Sequence, residues 1–117
     1  MSKLFWKAFN DSNGRCVYCL KDLLSSFEEF SQSQEDHLVP KHHDGPSTAD
    51  NIVIACAVCN ALKHHHSPTS EPYSAEKRDE YIAAARTIIT AQRQKKFDDY
   101  SWWIGRFATR FLPIDQQ

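Results

Sequence analysis

No apolar run in the 117 residues approaches the length of a membrane span, so a transmembrane helix is excluded. The opening segment, MSKLFWKAFN, lacks the extended apolar region and small-residue cleavage site of a secretory signal, and the expected compartment is the cytoplasm. Neither sign of charge dominates. A net charge of −1 gives no whole-molecule attraction to a polyanion, which counts against nucleic acid unless the charge is unevenly distributed. Internal repeats and low-complexity segments are missing, as is the βαβ pattern in which a redox Cys-x-x-Cys pair usually sits. At 117 residues the chain suits one domain over 1–117 and not two independent cores.

The charge that is present is segregated along the chain. Residues 77–96 carry an excess of four positive charges, from Lys77, Arg78, Arg86, Arg93, Lys95 and Lys96 against Asp79 and Glu80. Glu28, Glu29, Glu35 and Asp36 form an acidic cluster upstream.

Four cysteines form two pairs, Cys16-Val-Tyr-Cys19 and Cys56-Ala-Val-Cys59, with 36 residues between them. Two thiolates at this spacing grip one side of a tetrahedral Zn²⁺, and two such knuckles close its shell, leaving no position for substrate. A structural zinc site is therefore expected at Cys16, Cys19, Cys56 and Cys59. Disulfides need an oxidising compartment that nothing here supports. The long insert between the knuckles is then a loop clamped by metal at both ends, held in fixed geometry despite a small core.

Inside that insert lies EDHLVP, residues 35–40, where two carboxylates and a histidine precede a short apolar run. The segment from Glu35 to Val39 predicts a strand, with Glu35 alternating outward. The turn-rich KHHDGPSTADN follows, and Ile52 to Ala55 predict a second strand. The second knuckle leads into a short helix opening near Cys56, with Asn60 and Lys63 on adjacent turns.

Taken in order, D-H-x-x-P, a Gly-containing loop, N-I-V and C-x-x-C-N-x-x-K resemble the four-cysteine branch of the HNH endonucleases, over about residues 14–66. The resemblance implies an α+β fold, a ββα-metal finger stapled by the four-cysteine zinc site, with flanking helices over about 74–112. It also implies cleavage of a phosphodiester by a divalent cation and a histidine, leaving 5'-phosphate and 3'-hydroxyl ends. Asp36-His37, Asn51 and Asn60 occupy the signature positions. Asn51 would brace the loop through backbone near His37.

The local chemistry agrees with that assignment. Asp36 is a hard anionic ligand and Asn60 a neutral one, a pair suited to Mg²⁺ or Mn²⁺; Ni²⁺ is a further candidate cofactor. His37, with an ordinary pKa near 6.5, suits the general base, provided its other nitrogen is held. In a regular strand Asp36 and His37 point to opposite faces, so a twist or bulge is expected there. Lys63 is a candidate phosphate contact. His64, His65 and His66 stand where the family more often has glycine after the lysine, and one of them is a candidate to approach the cation.

Ser74 predicts the N-cap of a helix over AEKRDEYIAAARTIITAQRQKKF, in which Ile82, Ala85 and Ile89 face inward and Arg86 and Arg93 share a face suited to a phosphate backbone. Trp102 or Trp103 with Phe107 and Phe111 predicts a final helix ending by Pro113. Together with Leu4, Phe5, Trp6 and Phe9, these aromatics are expected to close the core. The leading function is a metal-dependent endonuclease acting on nucleic acid, expected to be double-stranded DNA, with no membrane partner. The alternatives are a noncatalytic zinc module that binds nucleic acid or protein, and the nuclease subunit of a larger assembly, since no separate sequence-reading motif is present and partner proteins would supply specificity.

Overall fold

The computed structural model describes residues 2–117. Helix α1 (Lys3–Asp11) is capped by Ser2, whose hydroxyl accepts from the Phe5 amide at 3.0 Å. Phe5, Ala8 and Phe9 recur at helical spacing and are buried. They pack on the sheet, and Phe9 meets Phe30 of the short helix α2 (Phe27–Ser31) edge to face.

Strands β1 (Gln34–His37) and β2 (Ile52–Ala55) form a two-stranded antiparallel sheet, pairing Gln34 with Ala55, Glu35 with Ile54, Asp36 with Val53 and His37 with Ile52. The chain then enters helix α3 (Ala57–Lys63). All four residues of β2 are buried, because α1 covers the sheet and the returning chain from Leu38 to Pro40 fills the space beside it. The α+β class and the cysteine-stapled finger are as expected. Among the described residues, no helix is long and apolar enough to cross a membrane.

The pairing of β1 with β2 runs through four consecutive residues, so of the twist or bulge expected at Asp36 the bulge is ruled out. The two neighbours border one cleft all the same, because β1 stops at His37 and the chain turns there through a 3₁₀ turn at Lys41–His43. Gly45 closes this turn-rich loop. A Cβ on it would lie 1.7 Å from the Val39 carbonyl oxygen, so only glycine allows the loop to lie against the strand exit.

The C-terminal region departs furthest from expectation. Helix α4 (Arg78–Arg106) is one unbroken element of 29 residues, preceded by a 3₁₀ turn at Ala75–Lys77, and Ser74 makes no side-chain cap. No glycine or proline lies between Arg78 and Gly105, so nothing stops the helix where two were expected. Tyr81, Ala85 and Ile89 of α4 are buried against the body. Beyond them the helix projects, and Trp102, Trp103, Phe107 and Phe111 are exposed instead of closing the core. The molecule measures 59 × 32 × 19 Å.

Candidate active site

The two knuckles converge. The sulfurs of Cys16, Cys19, Cys56 and Cys59 all lie within 4.8 Å of one another, and Cys19 and Cys56 are separated by 3.8 Å. Four sulfurs bound tetrahedrally at about 2.3 Å would stand about 3.8 Å apart, so the donor set fits zinc in type and spacing. Cys16 and Cys59 compete for one proton. The bond from Cys59 holds Cys16 down to about 4, and the same bond pushes the Cys59 thiol up. A dication would relieve that conflict by favouring both thiolates.

Arg86 and Arg93, the two arginines expected to share a face of α4, each make one bond to this centre and remain exposed. Arg86 Nη2 donates to the Val17 carbonyl at 2.6 Å, within the first knuckle, and Arg93 Nη2 donates to Cys59 Sγ at 3.5 Å. Because α4 packs on α3, these two side chains lie within reach of the knuckles while staying exposed.

On the other side of α3 a cleft of about 330 Å³ opens, bordered by Asp36, His37, Lys41, His42, Asn60 and His64 among others. The strand supplies Asp36 and His37, and α3 supplies Asn60, so three of the signature residues meet at one surface. Asn51, the fourth, is fully buried. Its carboxamide accepts from the Val39 amide and donates to the carbonyls of Val39 and Pro46, all at 2.9 Å. These bonds tie the loop to the strand exit two residues past His37.

Asp36 is held on two sides. The Tyr18 hydroxyl donates to Oδ2, and Lys63 Nζ lies 3.2 Å from the same oxygen and 3.5 Å from Oδ1. Lys63 also donates to the His37 carbonyl at 2.8 Å and is 0 % exposed. The expected phosphate contact by Lys63 is therefore corrected: its ammonium is an internal clamp between α3 and β1. Burial pushes the Lys63 pKa down, and Asp36 opposes that shift. Burial, then the Asp36 charge, pushes Tyr18 up.

One nitrogen of His37, Nε2, lies 3.0 Å from Ser47 Oγ. Burial lowers its pKa and the positive charge of Lys41 adds to the effect, which favours the neutral ring near pH 7. Ser47 and Tyr18 are absent from the sequence-based set. Tyr18 reads as a spacer between zinc ligands, and Ser47 as one turn former among several, so neither leaves a signal in primary order.

At the end of α3, His64 adopts φ 49°, ψ −126°, the left-handed half of backbone space that favours glycine. Its ring lies 4.0 Å from that of His65, which is 5.8 Å from the ring of His42. Both His64 and His65 border the cleft.

Residues 16–66, from the first zinc-type cysteine to the last of the three histidines, match the family described as HNH endonuclease. Over this segment the chain is similar to the HNH endonucleases. No curated protein and no solved structure matches the chain. The HNH segment contains both knuckles, the sheet, the cleft and α3, whereas α1 and α4 lie outside it. Nuclease-type chemistry and contact with nucleic acid are what the family implies.

Proposed function

We propose that this chain is a metal-dependent endonuclease that hydrolyses phosphodiester bonds of DNA, using His37 as general base beside a single divalent cation. The observation that carries the reading is that the adjacent pair Asp36-His37 and the sequence-remote Asn60 of α3 border one cleft.

Asp36 and Asn60 would hold the cation. The donor set fits a hard ion, one carboxylate and one carboxamide oxygen, and Asp36 Oδ1 retains free capacity because its one partner, Lys63, is 3.5 Å away. When bound, Mg²⁺, Mn²⁺ or Ni²⁺ supplies charge stabilisation for the phosphoryl oxygens. His37 takes the proton from the attacking water, its ring oriented by Ser47 and kept neutral by burial and Lys41. Lys63 fixes the backbone that bears His37, and Asn51 fixes the next turn. Zinc at the four cysteines would contribute fold and no chemistry, since its shell is filled by protein.

A noncatalytic zinc module is favoured by one observation: Asp36 is already neutralised in part by Lys63 and Tyr18. Plasmid cleavage by the zinc-loaded protein in added Mg²⁺, Mn²⁺ or Ni²⁺ separates the two readings. Cleavage lost in His37→Ala, with fold and DNA binding retained, supports the enzyme. Binding without turnover in any of the three metals supports the module, and equal nicking by wild type and variant removes His37 from the mechanism.

A further inference from the structure

Helix α4 leaves half of its length uncovered, and the uncovered half is patterned. Tyr81, Ala85 and Ile89 form the buried face. Tyr100 lies eleven residues beyond Ile89, close to three full turns, and Trp103 and Phe107 follow at the next helical spacings. The core-facing stripe therefore continues past the body as Tyr100, Trp103 and Phe107, which are 59 %, 52 % and 50 % exposed. The chain's radius of gyration is 17.3 Å. A compact chain of this length would have about 13 Å.

At the base of this arm, α3 and α4 leave a groove of about 200 Å³ lined by Val58, Leu62, Arg93, Lys96, Phe97 and Tyr100. Arm and groove suit each other as an apolar ridge and an apolar trough. The charges beside the stripe have opposite signs and a fixed spacing: Asp99 precedes Tyr100 and Arg106 precedes Phe107, so both flank the same side of the stripe two turns apart. When two such helices lie antiparallel, residues in that flanking position face one another across the seam. Asp99 of each copy then meets Arg106 of the other.

We propose that a second copy of this chain covers the arm, the two α4 helices pairing antiparallel about a two-fold axis close to Trp102. Phe107 of each copy seats at the other's groove between α3 and α4, and two Asp99–Arg106 pairs close the flanks. The interface is isologous, so it ends at a dimer and does not propagate. Aromatic residues at three- and four-residue spacing fit a packed helix, and the carboxylates of Asp98 and Asp99 beside them oppose a phosphate backbone. Nothing in this pairing depends on nuclease activity.

Sedimentation equilibrium of the zinc-loaded full chain tests it, the 13.5 kDa monomer being readily told from a dimer. The expected result is a dimer at micromolar protein, with Trp103→Glu weakening association at least about tenfold. That position is exposed, so its far-ultraviolet circular dichroism should match wild type. Asp99→Arg and Arg106→Asp should each weaken the dimer by roughly tenfold, and the double variant should regain most of the loss. A wild-type protein that stays monomeric up to about 200 μM overturns the proposal. So does a double charge swap no better than its parents, or a monomer whose binding to single-stranded DNA is lost in Trp103→Glu.

Discussion

Lys63 is the residue on which the two halves of the candidate site depend, because one ammonium holds both the Asp36 carboxylate and the carbonyl of His37. Replacing it with methionine keeps the volume and leaves a buried carboxylate with Tyr18 as its remaining donor. We expect Lys63→Met to cost about 3–5 kcal/mol in denaturant unfolding of the zinc-loaded protein, the usual penalty for breaking a buried pair from one side. A loss below about 1 kcal/mol would mean that Asp36 reaches solvent or is protonated in the folded state. His37 makes a prediction about pH. Its pKa is depressed by burial and by Lys41, so the neutral base persists below the ordinary histidine value of 6.5, and the acid limb of kcat/KM should lie below that pH. Because removing a nearby positive charge lets the ring hold its proton to higher pH, Lys41→Ala should move the limb upward, and a limb at or above 6.5 in the wild type would contradict the assignment. That residues 36, 37 and 60 belong together at one cleft was legible in sequence, because metal coordination and proton transfer accept few residue types. Lys63 was not, since a lysine one turn past Asn60 reads as a surface cation until the strand that covers it is in place.

At the level of elements, α3 ends where the backbone would prefer glycine. His64 holds φ 49° and ψ −126°, a conformation that costs a residue with a side chain about 1–3 kcal/mol. His64→Gly is therefore expected to raise the unfolding free energy by about 1 kcal/mol, measured by denaturant melts. If cleavage or Mn²⁺ affinity falls in the same variant, the strain is maintained because the ring is used in the cleft. If both are unchanged, the histidine is incidental. The break between knuckle and helix was readable from Cys56 onward, and the order strand, loop, strand, helix followed from β-branched runs separated by turn formers. The extent of α4 was not, because aromatic spacing looks the same in a buried helix and in one that projects. Arg86 and Arg93 show the same limit: their shared face was evident, but their bonds to the knuckles depended on which element lay against it.

On the scale of the whole molecule, the four-cysteine cluster joins the residues before β1 to those after β2, and Tyr18 within the first knuckle reaches across to Asp36. Fold and cleft should therefore fail together when the metal is removed. We expect about one zinc per chain by elemental analysis, loss of near-ultraviolet circular dichroism on chelation with a strong zinc ligand, and recovery on adding zinc alone. Cleavage should need a further divalent ion after that recovery. Native-like spectra in the fully stripped protein would show that the core of Leu23, Leu38, Val39 and Ile52 to Ala55 suffices without it. By itself, the sequence determined the chemistry available and its order along the chain: paired thiols at metal spacing, a carboxylate next to an imidazole, and two carboxamides downstream. These were readable because metal coordination and proton transfer accept few residue types and little variation in spacing. Tertiary structure alone decided the direction of each side chain. Burial turned Lys63 inward, packing of α4 sent Arg86 and Arg93 to the knuckles, and the small body left Trp103 and Phe107 uncovered, since direction depends on neighbours that are remote in the sequence.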